Sequence, residues 1–196
     1  MEKLSLLDAV ALPIARANVD TDQIVPARYL QKPRSADFGA FLFRDLRFAA
    51  DGSEVPGFVL NQAPYRHARI VVAQRNFGCG SSREHAVWAL YDYGIRAVIA
   101  PSFGDIFATN AAKNGLLTIA LPDLAVDALL AQLQRTPGLQ LRVDVPQQRV
   151  ALPGGTSFPF ELGAYLKTCL LEGLDELDYT FSQMAHIEAF ERSYPY

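Results

Sequence analysis

The sequence predicts an α/β fold in which helices cover a parallel sheet. Between residues 69 and 138, three short apolar runs rich in β-branched residues alternate with helical segments. Such alternation gives right-handed crossovers between parallel strands. The runs 139–145 and 148–152 then predict an antiparallel hairpin. With 196 residues, 50% of them hydrophobic, the chain is long enough for one domain with a sizeable core.

The N-terminal third is predicted to be less regular. DAVALPIA (8–15) is expected to be a strand, and NVDTDQIVP (18–26) a loop because Asn, Asp and Thr favour turns. We expect a short helical turn at 26–31, a mobile loop at 31–39 and a short buried helix within 38–52.

The segments from residue 69 onward have clearer signals. Gly94 marks the end of the first helix, Ser102 is predicted as the N-cap of the second, and Pro122 begins the third. In chain order, the predicted strands and helices are 69–74, 83–94, 95–100, 102–115, 116–121 and 122–138.

The C-terminal part is predicted as an appendage to this unit. A helix is expected at 161–173, and the remainder is expected to be partly helical. We therefore expect a single domain over 1–196, with the hairpin and the C-terminal helices attached to it.

Composition and charge exclude several classes of protein. The net charge of −3 and the pI near 5.6 argue against a general nucleic-acid binder. Two cysteines, Cys79 and Cys169, are too few to hold an iron–sulfur cluster or a structural zinc site. Without a signal-peptide pattern or an apolar run near the roughly 20 residues that span a bilayer, a cytoplasmic protein with no membrane association is expected.

The stretch NFGCGSSREH (76–85) lies between a predicted strand and a predicted helix. In open α/β sheets, ligand crevices form at this edge. Gly78 and Gly80 permit a tight turn, and the first amides of the helix favour an anion. Ser81 and Glu84 also match a capping box, so a purely structural interpretation of these two stays open.

Arg83 is the residue that a helix cap does not explain. A cation at the positive end of a helix is unfavourable unless an anion such as a carboxylate binds beside it. The dinucleotide, Walker and nucleophile-elbow patterns all lack a required residue here. Cys79, between two glycines, is expected to be structural, and His85 is either a core or a functional histidine.

A second polar loop contains Asp20, Thr21 and Asp22, which match an Asx-turn. Two carboxylates exceed what one turn needs, so Asp22 is a candidate to orient an arginine or a serine across a crevice. Positive charge follows nearby at Arg28, Lys32 and Arg34.

Four blocks resemble the bacterial small-subunit family of 3-isopropylmalate dehydratases. They are NVDTDQIVPARYLQK, FGAFLFRDLRF, NFGCGSSREHAVWALYDYG and VIAPSFGDIF, in the family's order and spacing. GSSREH is shared with the wider aconitase superfamily, whereas FGAFLFRDLRF and the chain length indicate the leucine-pathway subunit. The resemblance implies a β/β/α arrangement similar to the mobile swivel domain of aconitase.

The resemblance also implies a division of labour between two chains. This chain holds no metal, and a large subunit carries a [4Fe–4S] cluster, in a heterodimer or larger assembly. The substrate is a small dicarboxylate: 2-isopropylmalate and 3-isopropylmalate are interconverted by dehydration and rehydration.

By the same resemblance, Ser81 is the catalytic base, Arg83 binds a substrate carboxylate and Asp22 orients these groups. The loop with Lys32 and Arg34 falls where the family senses the variable arm of the substrate. The candidate substrate-binding residues are Thr21, Arg28, Lys32, Arg34 and Ser82.

Two other functions stay open. The same scaffold could act on a related substituted malate, such as citramalate, dimethylmalate or a homocitrate-type acid. It could also be a non-catalytic anion-binding or assembly module. The presence of Ser81, Arg83 and Asp22 together favours an enzyme, since a simple binding module does not need all three.

Overall fold

A mixed β-sheet is the framework of the fold. The computed structural model describes residues 1–34, 37–81 and 83–194. The strands within this part of the chain are β1 (Leu6–Ile14), β2 (Ile70–Ala73), β3 (Ala97–Ala100), β4 (Leu117–Ala120), β5 (Gln140–Asp144), β6 (Arg149–Ala151) and β7 (Ser157–Pro159). They form one sheet in the order β4-β3-β2-β1-β5-β6-β7.

The helices are short, apart from those that cover the sheet. In the same described part of the chain they are α1 (Thr21–Ile24), α2 (Arg44–Arg47), α3 (Glu84–Tyr93), α4 (Asp105–Lys113), α5 (Asp123–Arg135), α6 (Ala164–Glu172), α7 (Glu176–Ser182) and α8 (Met184–Ser193). No helix among the described residues is long and apolar enough to cross a membrane.

Strand β1 joins the parallel and antiparallel halves of the sheet. It pairs in parallel with β2, with Ala11 opposite Ile70, and antiparallel with β5, with Leu7 opposite Val143. Strands β2 and β3 are buried along their whole length, as expected where helices cover both faces of a parallel sheet.

Alternate residues of each strand enter separate cores on the two faces of the sheet. In β2, Val71 faces a core with α3 and the irregular N-terminal segment, whereas Ile70 and Val72 face a core with α5. This period of two is the pattern of a strand buried on both faces. The first core lies beneath the loops that follow β1 and β2, and it therefore holds those loops in place.

The predicted alternation from residue 69 to 138 and the antiparallel hairpin are confirmed, with small shifts at the ends of the elements. Three details are wrong. The loop predicted at 18–26 contains α1, because Asp20 caps a single helical turn by accepting from the amide of Gln23 at 2.7 Å. The helix predicted within 38–52 is a 3₁₀ turn and α2, separated by Phe43, whose φ of 50° interrupts the helix.

The third correction concerns Ser102. It does not cap α4, whose N-cap is Gly104. The Ser102 hydroxyl accepts instead from the amide of Asn76 at 2.9 Å, across two loops. The mobile loop predicted at 31–39 includes residues 35 and 36, which lie outside the described residues.

Candidate functional site

The loops that follow β1, β2 and β3 meet at one edge of the sheet. These strands are parallel, so their carboxyl ends lie together. The loop after β2 lies between the other two, forming one isolated bridge from Cys79 to Asp20 and another from Phe77 to Phe103. The polar residues of two separate sequence motifs are brought together in this way.

Backbone hydrogen bonds fix the first two loops against each other. The Thr21 amide donates to the Cys79 carbonyl at 2.9 Å, and the Gly78 amide donates to the Val19 carbonyl at 2.7 Å. The Thr21 hydroxyl adds a third contact, donating to the Ser81 carbonyl at 2.8 Å. The position of Ser81 therefore depends on the loop that carries Asp22.

The turn before Ser81 needs glycine for two reasons. Gly78 and Gly80 have φ values of 72° and 92°, in the region that residues with a Cβ rarely adopt. At Gly78 a Cβ would also lie 2.2 Å from Cγ of Phe107, so the turn packs directly on α4. These constraints present Ser81 at the surface, immediately before α3.

A cleft of about 230 Å³ opens beside this turn. One wall is the turn itself and the other is the start of α4. Its lining residues are Thr21, Gly78, Cys79, Gly80, Ser81, Arg83, Gly104, Asp105, Ile106 and Phe107. The last four belong to the block VIAPSFGDIF, which contributes to the family resemblance, but none of them was predicted to line a site.

Arg83 and Asp22 form an ion pair at this cleft. The guanidinium Nη1 of Arg83 contacts Oδ1 of Asp22. The Arg83 side chain is only 15% exposed, whereas that of Asp22 is 53% exposed. A mostly buried guanidinium beside a small cleft is suited to binding a carboxylate. Ser82 is the one residue of this motif that lies outside the described residues.

The capping box predicted for Ser81 and Glu84 is wrong. The N-cap position of α3 is Arg83, and its side chain makes no capping hydrogen bond. Oε1 of Glu84 accepts instead from Nδ2 of Asn114 at 2.8 Å. Neither side chain thus forms the predicted cap at the N-terminus of α3, next to Ser81.

The other predicted basic residues do not join Ser81, Arg83, Asp22 and Thr21. Arg28 forms a two-pronged pair with Asp45, which holds the pKa of that carboxyl below its usual range. Arg34 forms a similar pair with Asp92, and Lys32 is exposed. The structure therefore groups Ser81, Arg83, Asp22 and Thr21, and it places Arg28 and Arg34 in separate ion pairs.

Cys79 has the properties of a structural thiol. Burial, together with the nearby Asp20, raises its pKa, which disfavours the reactive thiolate. Both it and Cys169 are free.

His85 lies in a partly buried aromatic cluster. The centroid of its ring is 4.5 Å from that of Trp88 and 6.0 Å from that of Phe38.

The side chains in the described part of the chain form no group suited to an iron–sulfur cluster or another metal ion. Within residues 1–34, 37–81 and 83–194, no three His, Cys, Asp or Glu side chains lie close enough to hold a metal ion. The cysteines lie apart in the fold, one in the turn before α3 and the other within α6.

Comparison with known proteins gives a consistent result. Residues 1–124 match the family model of the aconitase C-terminal domain, and residues 127–164 match a second model, LeuD_N. The 3-isopropylmalate dehydratase small subunit of Rhodospirillum centenum is 52% identical over 191 residues, covering 97% of this chain and 94% of that protein. The corresponding subunit of Roseobacter denitrificans is 47% identical over 193 residues, covering 98% and 96%.

A solved structure matches the fold along nearly its whole length. The 3-isopropylmalate dehydratase crystal structure from Methanocaldococcus jannaschii superposes with a TM-score of 0.69 at 25% sequence identity. The match covers 95% of this chain and 99% of that one.

Proposed function

The chain belongs to the 3-isopropylmalate dehydratase small-subunit family, and on that premise we propose that Ser81, Arg83 and Asp22 are this subunit's share of the active site. Members of the family are lyases of leucine biosynthesis, and the small subunit works with a large subunit. The observation that carries the proposal is the mostly buried Arg83 guanidinium, which lies with Ser81 on the wall of one cleft.

Ser81 acts as the base that removes a proton from carbon. Its hydroxyl is a weak acid, so its anion must be stabilised by groups that are already in place. The N-terminus of α3 and the Arg83 cation supply positive charge next to it. The proton moves to Oγ of Ser81, and the electron pair left behind forms the double bond as hydroxide departs.

Arg83 binds the substrate carboxylate adjacent to that carbon. Negative charge grows on this carboxylate as the proton leaves, so a fixed guanidinium stabilises the transition state more than the substrate. Asp22 orients the guanidinium through the observed ion pair. Thr21 fixes the Ser81 backbone, and the family resemblance assigns Ser82 to substrate binding.

The remaining parts of the reaction are assigned to the partner. Since the described residues of this chain do not fit a metal cluster, we assign a [4Fe–4S] cluster to the large subunit. The two chains then form a complete site only in a heterodimer or larger assembly, which we place in the cytoplasm. Lys32 and Arg34, on the loop that leads away from α1, lie on the segment that we assign to the variable arm of the substrate.

Co-expression with the large subunit allows the assignment of the base to be tested. We expect Ser81→Ala to lower kcat by about a hundredfold or more, the usual contribution of a positioned base. Formation of the alkene diacid, followed by absorbance, is the measurement. Ser193→Ala, which removes an exposed hydroxyl at the end of α8, is the matched control. Near-normal turnover by an assembled Ser81→Ala enzyme contradicts the role of Ser81.

Arg83→Lys in the same assay tests carboxylate binding. Lysine keeps the charge but cannot form a two-pronged pair, so we expect KM to rise about tenfold. Citramalate, dimethylmalate and homocitrate-type acids are assayed beside isopropylmalate. A preference for one of them identifies the related-malate alternative, and no turnover of any by the wild-type pair identifies a non-catalytic module.

A further inference from the structure

Asn76 joins the three loops that meet at the carboxyl edge of the sheet. It lies on the loop after β2, and its backbone amide donates to the Ser102 hydroxyl, on the loop after β3, at 2.9 Å. Its side-chain Nδ2 donates to Oδ1 of Asn18, on the loop after β1, at 2.8 Å. The Asn18 amide in turn donates to the Arg75 carbonyl at 2.9 Å. One residue thus contacts all three of the loops that lead into the cleft.

The backbone at both ends of this side-chain bond favours asparagine. Asn18 and Asn76 have φ values of 55° and 62°, in the left-handed region, which asparagine enters more readily than most residues that carry a side chain. Glycine would adopt this backbone more easily still, but it has no amide with which to connect the loops. The Asn18–Asn76 bond therefore joins the turn of one loop to the turn of the other.

Beyond this bond, the loops after β1 and β2 run side by side as far as the cleft. The Gly78 amide donates to the Val19 carbonyl at 2.7 Å, and the Thr21 amide donates to the Cys79 carbonyl at 2.9 Å. Ser81 follows two residues later, and its carbonyl accepts from the Thr21 hydroxyl. The side-chain bond lies at the start of this paired segment, so it fixes the register between the loop of Ser81 and the loop of Thr21.

The position of Ser81 depends on these loops more than the position of Arg83 does. Arg83 is the N-cap residue of α3, a helix whose residues Ala86, Val87 and Leu90 are fully buried. Ser81 lies on the turn before that helix, and its hydroxyl must be aligned with the substrate carbon for proton transfer. A small shift of the loops therefore displaces the base more than the group that binds the carboxylate.

We propose, on the basis of the function proposed above, that Asn18 and Asn76 are positioning residues for Ser81. Neither of them lines the cleft, so both act through the paired loops. Their bond holds the Ser81 hydroxyl at the distance and angle that proton transfer requires. Loss of the bond then lowers kcat and hardly changes KM, since Arg83 keeps its place at the start of α3.

Glycine substitutions remove the bond and preserve the backbone. In co-expression with the large subunit, we expect Asn76→Gly and Asn18→Gly each to lower kcat about tenfold, with KM within about twofold of wild type. Because both act through one bond, the double glycine variant should lose no more than either single variant. Gln148→Gly, on the hairpin of β5 and β6, is the matched control: its φ is 52°, and its side chain also accepts one hydrogen bond, from the Leu162 amide. A kcat of Asn76→Gly equal to that of Gln148→Gly, or effects of the two glycines that multiply, overturns the proposal.

Aspartate substitutions test whether the hydrogen bond itself is responsible. In Asn18→Asp the carboxylate keeps an acceptor for Nδ2 of Asn76 and tolerates the same φ, so we expect kcat within about twofold of wild type. In the double variant Asn18→Asp with Asn76→Asp, two carboxylates face each other without a donor, and kcat should fall at least as far as in the glycine variants. An Asn18→Asp enzyme as slow as Asn18→Gly overturns the proposal, because the bond is then present without its effect. A double aspartate variant as fast as Asn18→Asp also overturns it.

Hydrogen exchange of the isolated chain gives a readout that does not depend on catalysis. The Gly78 and Thr21 amides are bonded across the loops, and they should exchange about fivefold faster in Asn76→Gly. The Arg96 amide, which donates to the Arg69 carbonyl at 2.8 Å at the opposite edge of the sheet, should keep its rate. Unchanged exchange at both loop amides overturns the proposal even where kcat falls. If the wild-type pair turns over neither isopropylmalate nor a related malate, the proposed function fails and the role in kcat fails with it, while exchange still reports whether the bond fixes the loops.

Discussion

Gly104 lies where the loops after β2 and β3 are in direct backbone contact. A Cβ at this position would be 2.5 Å from the carbonyl oxygen of Gly78, well inside contact distance. The φ of Gly104 is −64°, so backbone strain is not the reason for glycine here. The requirement is space, and it arises because the Gly104 amide donates to the Phe77 carbonyl at 2.9 Å. The absence of a side chain at Gly104 therefore allows the two loops that form the cleft wall to pack against each other.

Gly104→Ala is expected to destabilise the chain by about 1–3 kcal/mol, the usual cost of overpacking. It should also lower turnover of the assembled enzyme, because the turn before Ser81 must shift. Gly57→Ala is the control, since a Cβ there meets nothing within 4 Å. Urea unfolding gives the free energy of each variant. Equal stability of the two alanine variants would show that the loops separate without cost.

At the scale of elements, the sequence predicted what depends on local pattern. Strands such as IVVA and AVIA are recognisable because burial on both faces requires a continuous apolar run. The capping box failed because Glu84 is taken by Asn114, 30 residues further along the chain. A four-residue motif cannot show that a distant side chain will hydrogen-bond one of its members. Strand β7 was not predicted for a related reason. Its three residues form a strand because they pair with β6, and their own sequence pattern is too short to indicate one.

The candidate site was likewise predictable only where a local sequence pattern indicates it. Ser81 and Arg83 stand out in one short motif and Asp22 in another. The resemblance to a known family indicated that the two motifs belong to one site. The contribution of α4 to the cleft was not predicted: Gly104 and Ile106 lie in the block VIAPSFGDIF that contributes to the resemblance, but neither side chain indicates a binding site by its chemistry. They line the cleft only because parallel strands end at one edge. The Arg34–Asp92 ion pair was not predicted, because it joins residues 58 positions apart in the sequence.

Helix α5 shows how one element stabilises the second core. Val126, Leu129 and Leu133 are fully buried on one face, whereas Leu124 is 84% exposed. We expect Leu129→Ala to cost about 2–5 kcal/mol, because it leaves a cavity against the sheet. Leu124→Ala makes the same chemical change on the solvent side and should alter stability by less than about 0.5 kcal/mol. Denaturant unfolding compares the two, and similar losses would contradict the assignment of the buried face.

At the scale of the whole molecule, the described chain divides into a packed body and a loosely attached end. The body extends to α6, where Cys169 and Leu170 are buried and the Leu170 carbonyl accepts from the Leu4 amide at 2.8 Å. Within Glu176–Ser182 and Met184–Ser193, no residue is buried. The loops of the candidate site and both cores therefore belong to the body.

Removal of residues 175–196 tests this division. The contacts that would be lost include an exposed Lys113–Glu176 ion pair, 3.4 Å apart, and the Tyr165–Tyr179 ring contact, 4.6 Å between centroids. Such contacts contribute about 1 kcal/mol or less each. For a chain of this size, we expect the Tm to fall by no more than about 6 °C, with unfolding still cooperative.

Removal from residue 164 onward also deletes Cys169 and Leu170, and it should destroy the cooperative transition because the second core is opened. Calorimetry of both truncations gives the comparison. A loss of cooperativity in the shorter truncation would place α7 and α8 within the folded body and contradict the division.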